Sequence, residues 1–143
     1  MKLREIMTDK VVRINPEESV AVAARILARH NIGMLPVCGG DGRLYGVVTD
    51  RDLVTRCLAP GRATGTTKVK DVMTGRVVAA GPDMDITTAA HLMGRAQVRR
   101  LPVLDNGKLC GMVSLADLAG TEEGGISAAD ALGEITANVV ENF

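Results

Sequence analysis

Apolar residues fall along the chain in two alternating periods. Val20, Ala23, Ala24 and Leu27 follow the three-to-four spacing of one helical face. Ser19 stands just before them, with an oxygen able to accept an orphan helix N–H, and the stretch runs to Asn31. The same spacing returns at Ile86, Ala89, Ala90 and Met93, behind Asp85. Short apolar runs bounded by turn residues fill the rest and predict strands. They are Val11–Ile14 before Pro16, Met34–Cys38 and Leu44–Val48 around a Gly-rich turn, and Arg100–Leu104 and Leu109–Val113 around Asp105-Asn106-Gly107-Lys108. Asn-Gly is a strong two-residue hairpin signal. Thr49 and Ser114 then open second helices. The order strand, helix, strand, strand, helix is thus predicted twice.

The two sets are copies about 66 residues apart. Met7-Thr8 returns as Met73-Thr74, Val11-Val12 as Val77-Val78, Pro16 as Pro82, and Leu35-Pro36-Val37 as Leu101-Pro102-Val103. Ser19 exchanges with Asp85, and either residue caps a helix. Both copies end on Gly, two apolar residues, a hydroxyl, two residues and Asp, at Gly46–Asp52 and at Gly111–Asp117. The expected organisation is a repeat over 1–58, a linker over 59–68 carrying Pro60, Gly61 and Gly65, a second repeat over 69–119, and a C-terminal loop and helix over 120–143. Ala128, Ala131, Leu132, Ile135 and Val139 mark one face of that helix, which suits packing on its own domain or on a dimer partner.

Composition narrows the functional classes. Seventeen basic and 17 acidic residues leave a net charge of zero, which argues against broad nucleic-acid binding. No 18-residue apolar run predicts a membrane span, and Met1–Ile6 lacks the apolar stretch of a signal peptide. Three cysteines without close pairing fit a reducing cytoplasm. Cys38, Cys57 and Cys110 show no metal-ligand spacing, and His30 and His91 occupy no repeated position, so no metal is expected. No Cys-His or Ser-His-Asp set suggests a nucleophile, so the chain is not expected to be an enzyme. Tyr45 and Phe143 are the only aromatics, so a ring-shaped ligand must be gripped mainly by aliphatic side chains.

The Met-Thr openings, the Leu-Pro-Val strands and the paired Gly-x-x-Thr/Ser-x-x-Asp endings together resemble a tandem CBS-domain pair, or Bateman module, over residues 3–118. The resemblance implies an α/β (α+β) fold of two β-α-β-β-α repeats packed pseudo-symmetrically as one module. It also implies a homodimer, and a non-enzymatic sensor that binds an adenosine-containing ligand such as AMP, ADP or ATP in clefts between the repeats. No cofactor is required, and a regulated protein would read the change. The motif's acids, Asp52 and Asp117, would hold ribose, since a carboxylate accepts two hydrogen bonds from paired hydroxyls. Thr49 and Ser114 would meet phosphate.

A hydroxyl followed three residues later by a carboxylate also has the spacing of a helix capping box, and the two roles can coexist before ligand arrives. The base would need a flat apolar slot, for which Val12, Ile32, Met34 and Pro36 are candidates in the first copy, and Val78, Val98 and Pro102 in the second. These residues also suit ordinary core packing. Arg51 lies inside the first motif, whereas Arg99 and Arg100 stand where the first copy has Gly33 and Met34. A guanidinium fork suits phosphate oxygens, so the copies are expected to form unequal sites. An interaction module without a ligand is the alternative.

Overall fold

The computed structural model describes the backbone of residues 1–141 and the side chains of residues 1–137. In chain order come α1 (Val20–His30), β1 (Met34–Cys38), β2 (Leu44–Thr49) and α2 (Asp50–Leu53), which continues as a π turn over Val54–Leu58. Then follow α3 (Ile86–Ala96), β3 (Arg100–Asp105), β4 (Lys108–Ser114), α4 (Leu115–Ala119) and α5 (Gly125–Glu141). Single 3-10 turns lie at Leu3–Glu5 and Val69–Asp71. This is the mixed α/β repeat expected from the periodicity. No helix of the described residues is long and apolar enough to cross a membrane.

Local chemistry sets the boundaries. Ser19 Oγ accepts the Val22 N–H at 3.2 Å and Asp85 Oδ2 accepts the Thr87 N–H at 3.0 Å, so the exchanged residues do the same capping work. Asn31 and Gln97 end α1 and α3 in the left-handed region, at φ 51° and 60°. Asn106 and Gly107 both take positive φ, 52° and 81°, which matches the twist of the β3–β4 hairpin they join.

One predicted element is much shorter than its sequence suggests. The Val11–Ile14 run forms a single parallel bridge, Ile14 to Val37, and its copy forms one from Ala80 to Val103. Ile14 N–H donates to the Pro36 carbonyl at 3.0 Å and Cys38 N–H to the Ile14 carbonyl at 2.9 Å. The next rung toward the N-terminus would need an amide hydrogen at residue 36, and the next toward the C-terminus one at residue 16. Both are proline, which has none. Pro82 and Pro102 bracket the Ala80 bridge in the same way, where the two bonds measure 3.0 and 2.8 Å. Pro36 and Pro102 stay inside their strands because the bridge asks only for their carbonyls.

The packing units differ from the sequence repeats. One compact unit is Val12–Val77; the other joins Met1–Val11 to the chain from Val78 onward. In the first unit Thr74 pairs with Val47 through bonds of 3.0 and 2.8 Å, extending the β1–β2 hairpin by one rung. In the second, Thr8 pairs with Met112 through two bonds of 2.9 Å. Each Met-Thr opening therefore completes the unit that contains the other copy's hairpin. Leu3 and Val69, the counterparts just ahead of these openings, are fully buried in those same units.

The span read as a linker is likewise part of the first unit. The Thr67 carbonyl accepts the Val20 N–H at 2.8 Å and the Thr64 carbonyl accepts the Ala21 N–H at 3.0 Å, satisfying first-turn donors of α1. Lys68 and Lys70 hold Glu17 at 2.7 and 2.9 Å. Each core is aliphatic: Leu27, Leu35, Val48 and Leu53 centre the first, and Ile86, Met93, Leu101 and Leu118 the second.

Gly46 is where the Thr74 backbone comes closest. A Cβ there would collide with the Thr74 carbonyl oxygen and lie 3.2 Å from Met73 Sδ. We predict that Gly46→Ala lowers unfolding free energy by about 1–3 kcal/mol, the usual penalty of overpacking. Chemical denaturation checks it, and an unchanged midpoint would contradict the close approach. The hydrogen bonds from Lys68 and then Lys70 hold the exposed Glu17 carboxyl down at about 2, against 4.5 ordinarily. Glu17 thus stays ionised in the folded chain where the unfolded chain protonates it. The tether's small contribution is complete above about pH 5 and is lost as pH falls toward 2. Glu17→Gln should flatten that part of the acid limb in pH-dependent melting curves.

Candidate ligand site

Thr49 and Ser114 each leave a strand in extended geometry and cap a short helix. Thr49 Oγ1 accepts the Asp52 N–H at 3.0 Å while Asp52 Oδ2 accepts the Thr49 N–H at 3.0 Å. Ser114 and Asp117 repeat the exchange at 3.1 and 2.9 Å. Both junctions are therefore capping boxes, each using one carboxylate oxygen.

Their surroundings differ. Asp52 is 7% exposed. The Thr74 hydroxyl lies 3.3 Å from each of its oxygens, and Arg56 Nε lies 3.8 Å from Oδ1. Arg56 Nη1 also donates to the Val72 and Met73 carbonyls at 3.2 and 2.9 Å. Asp52 and Arg56 together thus tie the Val72–Thr74 segment to α2 and the π turn that continues it. Asp117 is only half-buried, and among the described residues Thr8 makes no hydrogen bond to it. Thr121, at the place of Arg56, instead donates to the Leu118 carbonyl at 2.8 Å and accepts the Gly124 N–H at 2.9 Å.

A cleft of about 330 Å³ opens in the second unit beside Ser114. Arg99, Arg100 and Ser114 line one part of it, and Leu115, Ala128 and Leu132 supply much of the rest. The Leu115 N–H donates to the Arg99 carbonyl at 2.8 Å, which holds the arginine pair against the start of α4. No side-chain hydrogen bond or ion pair engages Arg99 or Arg100 among the described residues. The matching junction of the first unit uses the Asp50 N–H and the Gly33 carbonyl at 3.1 Å. There a carboxylate stands where Leu115 stands, and a glycine and a methionine replace the two arginines. The same backbone therefore presents cations in one copy and an acid beside Gly33 in the other.

The remaining expected residues scatter. Val12 and Ile32 pack partly buried against the first core, Met34 is half-buried at the start of β1, and Pro36 is buried inside it. Val98 packs against the second core, Pro102 is buried in β3, and Val78 is 39% exposed. Arg51 is exposed on α2. Of the base-slot set, none lines the Arg99–Ser114 cleft. Its apolar wall comes instead from α4 and α5. Ala128, Ala131 and Ile135 are buried as the helical stripe expects, whereas Leu132 remains 42% exposed at the cleft. The side chain of Val139 and the whole of Phe143 lie outside the described residues. Burial pushes the Cys38 and Cys110 thiols up, which keeps them protonated and poorly nucleophilic. No three His, Cys, Asp or Glu side chains gather as a metal site among the described residues.

Comparison with known proteins gives a consistent picture. The family model of the CBS domain matches residues 3–59 and again 69–123. The CBS domain-containing protein YhcV of Bacillus subtilis is 38% identical over 134 residues, covering 94% of this chain and 94% of its own. The crystal structure of Hypoxic Response Protein I with two coordinated zinc ions superposes with a TM-score of 0.76 at 34% identity, covering 83% of this chain and 97% of that one. A CBS domain pair in complex with 5′-methylthioadenosine and S-adenosyl-L-methionine superposes with a TM-score of 0.71 at 26% identity, over 83% of this chain and 93% of its own.

The two acids should respond differently to removal. Asp52→Ala loses a cap and a buried charge-assisted bond and is predicted to cost about 2–3 kcal/mol, whereas Asp117→Ala loses the cap alone, about 1 kcal/mol. Equal costs in denaturant titrations would contradict the latch drawn from Thr74 and Arg56.

Proposed function

This chain belongs to the CBS-domain family as a tandem pair, a regulatory module, and on that premise we propose that it senses an adenosine-containing ligand at the Ser114 junction. The observation that carries the reading is the convergence of Arg99, Arg100 and Ser114 on one cleft. Two guanidinium forks offer paired donors to phosphate or carboxylate oxygens, and the Ser114 hydroxyl can donate beside them. Asp117 does not itself line the cleft, but its Oδ2 serves the capping box with Ser114, which leaves Oδ1 as acceptor for a ribose hydroxyl that reaches past that junction. At about 330 Å³ the cleft is at the small end of the roughly 300–1,000 Å³ usual for ligand sites, which suits AMP or a similar mononucleotide better than a dinucleotide.

The solved CBS pair with 5′-methylthioadenosine and S-adenosyl-L-methionine supports an adenosyl ligand for this chain. In the first unit, Asp52 is assigned to holding the Met73-Thr74 segment, and Asp50 beside Gly33 disfavours an anion there. We read the role as regulatory: the cleft offers positive charge and an apolar wall suited to holding an anionic ligand.

Thermal melting with AMP, ADP, ATP, S-adenosylmethionine and NADH tests the reading. A ligand at 100 times its dissociation constant adds about 2.7 kcal/mol of stability. The mononucleotides are expected to raise the melting temperature, and Arg100→Ala to abolish the rise. Melting unmoved by any of the five at millimolar concentration would overturn the reading.

A further inference from the structure

We propose that α5 is a specificity element of the Arg99–Ser114 cleft: it supplies the apolar wall against which the ring of a small anionic ligand lies while the two arginines hold the anionic end. This rests on the ligand reading above and adds to it a part of the chain outside the matched domains. The second CBS match ends at residue 123, and α5 begins at Gly125.

The placement of α5 is built into the sequence of the helix beneath it. Gly94 lets the helices approach closely: a Cβ there would lie 3.2 Å from Ala131 Cα and 2.9 Å from Glu134 Oε2. Its counterpart on α1 is Ala28, which is exposed, and no helix covers the equivalent face within the first unit. Ala128, Ala131 and Ile135 anchor α5 in the second core. Leu132 belongs to the same stripe yet stays 42% exposed, because it borders the cleft rather than the core. The opening exists because its other wall positions, Ala116, Ala119 and Ala128, are small.

An aliphatic wall facing two cations fits one chemical class, a compact ring bearing phosphate or carboxylate. The ring replaces water on Leu132 and on the exposed Ala116 and Ala119 opposite it, and its charge is met by guanidinium groups. Among the described residues no aromatic side chain lines the cleft, so discrimination depends on the size and shape of this wall.

Isothermal titration of the full chain with AMP tests the proposal. Leu132→Ala should weaken AMP binding by about tenfold, the value of losing part of an apolar contact, and Leu132→Glu by more. Leu58→Ala, at a similarly exposed position in the first unit, should leave it unchanged. Hydrogen exchange provides a second readout that does not depend on the variants: AMP should protect α5 amides between residues 126 and 134. Wild-type affinity in both Leu132 variants, or no protection of α5, overturns the proposal while leaving the ligand reading intact. Should no adenosine compound bind, phenyl phosphate becomes the probe. Binding of phenyl phosphate weakened by both Arg100→Ala and Leu132→Ala sustains the wall without adenosine, and its absence overturns both.

Discussion

The approach of one extended backbone to another, at a strand position where only hydrogen fits, governs this molecule. Thr74 can reach Val47, and Thr8 can reach Met112, only because Gly46 and Gly111 leave the space open. Each hairpin has just two strands, which alone is marginal in water. The extra rung on one side and the proline-bracketed bridge on the other widen each hairpin into a sheet that the helices can cover. The glycine at the head of each Gly-x-x-Thr/Ser-x-x-Asp run is therefore a packing requirement, and the hydroxyl and acid at its tail belong to the helix that follows.

That common scaffold carries two divergent junctions. Both are held by the same reciprocal cap, so the geometry is preserved whatever else changes. In one, the carboxylate faces inward onto a threonine and an arginine and becomes part of the fold. In the other it stays half-buried, and the arginines gather at the neighbouring Ser114 instead. A duplicated unit can diverge this way because the cap satisfies the backbone by itself and leaves the second carboxylate oxygen to its neighbours.

Much of this was legible from residue order. Ser19, Asp85, Asn106-Gly107 and the two capping spacings are local signals, and local signals survive translation into structure because the groups concerned are within three residues of each other. The unequal distribution of Arg51, Arg99 and Arg100 also anticipated unequal junctions. What could not be read was longer in range. A run such as Val11–Ile14 looks like a strand until the prolines opposite and after it are placed on the same rungs. The exchange of the Met-Thr openings leaves no mark in periodicity, since either partner hairpin satisfies the same pattern. The contribution of α5 to the cleft hinges on Leu132 lying at the margin of an apolar stripe, which spacing alone assigns to the core.

The exchanged openings also impose an order in time. Every residue of the Val12–Val77 unit is contiguous, so its sheet can close as soon as Thr74 has left the ribosome. The other unit cannot: Leu3 waits for Met84 and Thr8 for Met112, so the first eleven residues stay without their partners until most of the chain has been made. Synthesis from the N-terminus thus completes the middle of the sequence before its beginning, and the unit that carries the arginine-lined cleft is the last to form.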